Sequence, residues 1–194
     1  NMFGENYKMT SYDIKSWDVD NVQIFEFMFN QNIAVTSLDL RGWTTKSATN
    51  MKNMFSSMYI LTDLKIDDFD TSNVTMMNNM FDNERAMVSL DLRHFNTSKV
   101  TTMMKMFYNM YALQSLDISS FDTRNVTTME KMFIGTNTIQ TLDLSSFDTS
   151  KVKTFSNMFD DMTALQTIYV SDSFVTTAAT STPQMFLNDT NLEG

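Results

Sequence analysis

The dipeptide Met-Phe occurs at Met2-Phe3, Met28-Phe29, Met54-Phe55, Met80-Phe81, Met106-Phe107, Met132-Phe133 and Met158-Phe159, each copy 26 residues after the last. An eighth copy, Met185-Phe186, follows after 27. A period kept along the whole chain requires one structural unit per period, because unrelated lobes would not hold a common spacing. A 26-residue unit is too small to bury its own apolar side, so it must stack on copies of itself, each column of side chains resting on the same column above and below. Nineteen methionines and sixteen phenylalanines are thereby accounted for as core.

Three further apolar columns keep the period. They run through Met9, Val35, Leu61, Met87, Leu113, Ile139 and Leu165, through Tyr12, Leu38, Leu64, Leu90, Leu116, Leu142 and Ile168, and through Ile14, Leu40, Ile66, Leu92, Ile118, Leu144 and Val170. They spell L-x-x-L-x-L, the strand signature of leucine-rich repeats, whose last two positions share one side of a short strand. In the second half of each unit the spacing becomes three, six and seven, as in Val74, Met77, Met80 and Phe81. That is the spacing of one helix face and predicts a short helix. Thr45, Thr71, Thr97, Thr123, Thr149 and Thr176 precede these segments and suit a helix N-cap or the turn before one. The expected fold class is therefore an α/β repeat: a right-handed leucine-rich-repeat-type solenoid with a short parallel β-strand plus a short helix per 26-residue coil. Seven strands about 4.8 Å apart would make one parallel sheet roughly 30 to 35 Å long. Residues 1–194 read as a single solenoid of about seven to eight coils cut from a longer protein. The extra residue between Val170 and Phe174, together with the sole proline, Pro183, marks 168–194 as a candidate C-terminal cap coil.

A formal charge of -9 opposes binding to phosphate backbones, so nucleic acid is not an expected partner. No run is long and apolar enough for a membrane span, so no membrane insertion of this fragment is expected. With no cysteine, neither disulfides nor thiolate metal sites can contribute. Nothing suggests an enzyme. The single histidine, His94, sits just before core Phe95, and neither H-E-x-x-H nor a Gly-rich phosphate loop occurs. No catalytic residue, metal ligand or cofactor is assigned. Four N-glycosylation sequons, including Asn73-Val74-Thr75 and Asn125-Val126-Thr127, mostly arise from the repeat consensus and read as turn chemistry.

If the leucines of L-x-L point inward, the residue between them points out, giving the column Asp39, Lys65, Asp91, Asp117 and Asp143. Arg41, Asp67 and Arg93 flank it, so Lys65 lies between two aspartates and Asp67 between two arginines. This alternation predicts ion pairs between neighbouring coils. Tyr59 and Tyr111 occupy one loop column in alternate units. The candidate ligand-binding residues are Asp39, Arg41, Lys65, Asp91, Arg93, Asp117, Asp143, Tyr59 and Tyr111. Two readings stand side by side: charged and hydroxyl groups that solvate a sheet and tyrosines that cover gaps between coils, or a recognition strip with an aromatic rim. A calcium ion bridging Asp117 and Asp143 would find two carboxylates where six to eight ligands are usual.

The segments S-L-D-I-S-S-F-D-T-R-N-V-T-T-M-E-K-M-F, Ser115 to Phe133, and T-L-D-L-S-S-F-D-T-S-K-V, Thr141 to Val152, resemble the bacterial surface protein 26-residue repeat family, a BspA-like leucine-rich repeat. The resemblance covers nearly the whole chain. It implies an extracellular, bacterial cell-surface location and adhesion to a host matrix protein, a glycan or another cell surface. The structural alternative is a stiff spacer projecting another domain from the cell surface. Family units often carry Gly-Cys after Met-Phe, whereas the cysteine position here holds Met58, Glu84, Met110, Thr136, Met162 and Asp189.

Overall fold

A computed structural model describes residues 2–192. Six short strands recur: β1 Ser37–Asp39, β2 Asp63–Lys65, β3 Ser89–Asp91, β4 Ser115–Asp117, β5 Thr141–Leu144 and β6 Thr167–Val170. Each begins 26 residues after its predecessor, and every paired residue faces its own copy one period on, as Leu38 faces Leu64 and Leu90 faces Leu116. Pairing is parallel, as a coil returning to the same wall in the same direction requires. A second parallel ladder runs along another wall without a break, through Ile24, Asn50, Met76, Thr102, Thr128, Thr154 and Ser181. The chain is thus a stack of coils, and the solenoid reading holds.

The expected helices are absent among the described residues, so the α/β description is corrected to strand plus turns. The reason lies in the backbone. The residue before Met-Phe has positive φ at Phe27, Asn53, Asn79, Lys105, Lys131, Asn157 and Gln184, and the second residue after Met-Phe does so at Gln31, Ser57, Asn83, Asn109, Gly135, Asp161 and Asn188. A right-handed helix cannot pass through two left-handed residues within five positions. The segment instead closes successive tight turns, with the Met54 amide donating to Met51 O and the Ser56 amide to Asn53 O. Alternate amides are then free to reach the next coil: Met51 donates to Met76 O, Asn53 to Asn78 O, Phe55 to Met80 O and Ser57 to Asp82 O. A helix would have spent those donors inside one coil. Spacing by three was therefore the footprint of chained turns, not of a helix.

The threonine column serves the same stacking. Thr97 is no N-cap: it is buried, donates to Asp122 O at 2.9 Å and accepts from the Asp122 amide at 2.8 Å. Thr71 and Thr123 repeat this with Asn96 and Asp148. Each hydroxyl thus satisfies both backbone polar groups of one residue in the next coil. Thr97→Val should cost about 1 to 2 kcal/mol in denaturant unfolding, because an isosteric methyl leaves a buried N–H and C=O unmatched. A loss below 0.5 kcal/mol, on the order of an ordinary surface change, would show that the ladder does not bind the coils.

The interior is a file of side chains. Phe3, Phe29, Phe55, Phe81, Phe107, Phe133, Phe159 and Phe186 stack ring on ring, with centroids 5.1 to 6.0 Å apart and planes within 12°. The methionine beside each phenylalanine is fully buried from Met54 to Met158.

The expected single seven-stranded sheet is also corrected. Tyr12–Ile14 forms no strand, and the six strands that do form pair only as β1-β2, β3-β4 and β5-β6. Leu38, Leu90 and Leu142 are buried whereas Leu64, Leu116 and Ile168 are half-exposed. Strand pairing therefore repeats every two coils. The sequence carries the same alternation in one interior column: Met58, Met110 and Met162 take turns with Asn32, Glu84, Thr136 and Asp189.

Candidate functional site

The outward column falls where alternation along a strand places it. Asp39, Lys65, Asp91, Asp117 and Asp143 stand on the outer side of β1 to β5, each half-exposed or exposed, with Arg41 and Arg93 beyond the strand ends. The polar contacts differ from expectation. Arg41 closes on Asp39 two residues earlier in its own coil, Nε to Oδ1 at 2.9 Å and Nη2 to Oδ2 at 2.6 Å. Arg93 grips Asp91 in the same way, at 3.0 and 2.5 Å. Lys65 pairs with Asp63 of its own strand at 3.3 Å, although its register partner is Asp39. Residues two apart on one side of a strand meet without help from a neighbouring coil, so most pairs run along the chain. Pairing between coils occurs from Lys15 to Asp39 at 3.6 Å and from Arg93 to Asp117 at 3.4 Å.

These pairs fix the charge state of the strip. Hydrogen bonds from Arg41 hold the Asp39 carboxyl far below its usual range, and those from Arg93 hold Asp91 at about 2. Asp143 is lowered by hydrogen bonds from Ser145. The carboxylates therefore stay ionised throughout the physiological range. Being exposed, they are screened by solvent and add little to stability.

Between β2 and β3, where backbone pairing lapses, lies a cavity of about 210 Å³ lined by Asp63, Asp67, Asp91 and His94 together with Thr62 and Ser89. His94 Nε2 lies 3.0 Å from Ile66 O, and its ring stands edge-on to Phe95 at 4.9 Å. Among the described residues no group of three or more His, Cys, Asp or Glu side chains is arranged to hold a metal ion. No helix of the described residues is long and apolar enough to cross a membrane.

Tyr59 and Tyr111 are not neighbours of the charged strip along a strand; they lie on the loop edge that feeds β2 and β4. The residue standing between them in their column is Arg85, to which the alternate-unit tyrosine pattern does not point. Its guanidinium carbon lies 4.5 Å from the Tyr59 ring centre and 5.7 Å from that of Tyr111. A full 26-residue column of Tyr59, Arg85 and Tyr111 was the signal that could have found it.

A family model described as Mycoplasma protein of unknown function, DUF285, matches residues 1–89 and 84–194. A crystal structure of a leucine-rich repeat protein from T. pallidum is similar to this fold with a TM-score of 0.53 and 10% identity, covering 84% of this chain and 67% of that one. A leucine-rich repeat protein from Bacteroides ovatus aligns over 89% of this chain and 57% of its own, at 14% identity and a TM-score of 0.41. The chain thus spans about two thirds of the first and just over half of the second. No curated protein matches it. The T. pallidum likeness establishes the leucine-rich repeat fold.

Proposed function

The chain belongs to the DUF285 family, and we propose that it acts as a non-enzymatic binding module on a bacterial cell surface, holding a host matrix protein, a glycan or a neighbouring cell through the outer strand face. Its kinship with the BspA-like surface proteins, carried by the Ser115–Phe133 motif, is part of this reading. The observation that supports it is a division of labour. The apolar columns and the threonine ladder hold the coils, whereas Asp39, Arg41, Asp91, Arg93 and Asp143 stand exposed or half-exposed outside the core. Charges that folding does not need, repeated along an extended face of a solenoid, are the usual material of recognition.

Replacing Asp39, Asp91 and Asp117 together by alanine tests this. With the chain immobilised against a panel of matrix proteins, glycans and whole cells, retention of the ligand it captures should weaken at least tenfold while thermal unfolding changes little. Unchanged retention would remove this face from the function, and a chain that captures nothing from the panel would favour the stiff spacer.

A further inference from the structure

We propose that the Tyr59–Arg85–Tyr111 stack is a receptor for a carboxylate on a partner protein, namely a glutamate or aspartate side chain flanked by aliphatic residues. The site lies on the loop edge and not on the outer strand face, so it stands or falls independently of the function proposed above.

The four arginines of the chain make the case by contrast. Arg41, Arg93 and Arg124 each close both arms on an aspartate two residues earlier, Asp39, Asp91 and Asp122. Among the described residues Arg85 alone has no carboxylate within ion-pair distance, and its one side-chain partner is Asn83 Oδ1 at 3.3 Å. The acidic groups nearest in sequence are committed elsewhere. Asp82 accepts the amides of Asn79 at 2.9 Å and Asn83 at 2.5 Å, one on each oxygen. Glu84 turns fully into the core. Arg85 is exposed, yet two rings from the coils below and above hold its planar group. A guanidinium held over two aromatic rings, with one N–H on Asn83 Oδ1, leaves its other donors for the two-pronged geometry that a carboxylate offers.

The surroundings choose the occupant. Tyr59 and Tyr111 are 37% and 39% exposed, and Ile60 and Val88, within three residues of the stack in sequence, are 43% and 48% exposed. Exposed tyrosines against an arginine without a carboxylate, with exposed isoleucine and valine in the adjoining sequence, have the composition of a protein-interaction hot spot, in which desolvating side chains accompany one directional polar contact. A sugar acid would bring hydroxyls that isoleucine and valine cannot satisfy, whereas an aliphatic residue beside a carboxylate would complement both.

The test uses the whole chain and two capped peptides, acetyl-Leu-Glu-Leu-amide and its Gln counterpart, with glucuronate as a third probe. Nuclear magnetic resonance follows the Arg85 Nε–H signal in the wild type and, in every protein including the Arg85 variants, the Tyr111 backbone amide signal. The Glu peptide should move both signals saturably, with a Kd on the order of a millimolar, as befits one exposed contact. Binding should weaken at least fivefold with the Gln peptide and in Arg85→Gln, and stay within twofold in Arg124→Gln, whose arginine is already paired. Arg85→Lys should weaken it too, because a lysine keeps the charge and loses the planar fork. Absence of a saturable shift, equal binding of both peptides, or wild-type affinity in Arg85→Lys would overturn the proposal. Tighter binding of glucuronate than of the Glu peptide would overturn the choice of a protein partner.

Discussion

Phe107→Ala is expected to cost about 3 to 5 kcal/mol in denaturant unfolding, the range seen when a large buried ring is cut to a methyl and the surroundings collapse only in part. The cavity cannot close easily here. Phe107 is fully buried, and its ring lies between Phe81 at 6.0 Å and Phe133 at 5.6 Å, each held in place by its own hydrogen-bonded coil. Closing the gap would require two coils to approach, which their backbone bonds forbid. Phe3→Ala gives the contrast. Phe3 is half-buried and stacks on Phe29 alone within its column, at 5.4 Å, so its loss should cost about 1.5 kcal/mol from reduced apolar burial. The difference between the two variants is the informative quantity, since it isolates the second neighbour that only an interior coil possesses. Equal costs would mean that the rings do not act as a stack.

What the sequence revealed and what it concealed divide along one physical line. Stacking of identical residues was legible because a column repeats at fixed spacing whatever the local backbone does, so Met106, Phe107 and Leu90 could be placed in the core by counting. Local conformation was not, because spacing by three is shared by a helix face and by chained turns. The available signal was Asn53, Asn79 and Asn157 before Met-Phe, and Asn83, Asn109 and Gly135 after it, types that tolerate positive φ, but Phe27, Lys105 and Lys131 adopt the same backbone without that signal. Gly135 shows how tight the packing is, because a Cβ there would lie 2.5 Å from Asn109 Oδ1. For the candidate site, outward direction followed from strand alternation, but the partners of Arg41 and Lys65 did not. Reach between side chains two apart on one strand competes with reach between coils, and the former won at Asp39, Asp63 and Asp91.

At Glu84 the coil stack opposes its own chemistry. The side chain is fully buried between Met58 and Met110 in its column; Oε1 accepts the Met58 amide at 3.0 Å, while Oε2 has no partner. Burial drives its pKa well above the usual 4.5, the Met58 bond opposes that rise, and the charge of Asp82 adds to it. Because the folded state holds this proton more tightly than the unfolded chain, its contribution to stability is complete below pH 4.5 and is lost as pH climbs towards the raised folded value. Glu84→Gln keeps an oxygen for the Met58 amide and cannot ionise. It should match the wild type near pH 4 and exceed it at pH 9 by roughly 3 kcal/mol, since burying an unpaired ion costs several kcal/mol. Asp189 repeats the arrangement in the last coil, accepting the Met162 amide with its own pKa raised to about 6. The wild-type curve therefore contains a second, smaller decline from that group, and only the difference between wild type and Glu84→Gln isolates Glu84. Urea unfolding of both proteins at the two pH values decides the matter: a difference that stays constant with pH would place the Glu84 carboxyl in contact with water, and the dry, continuous interior would then be broken at that coil.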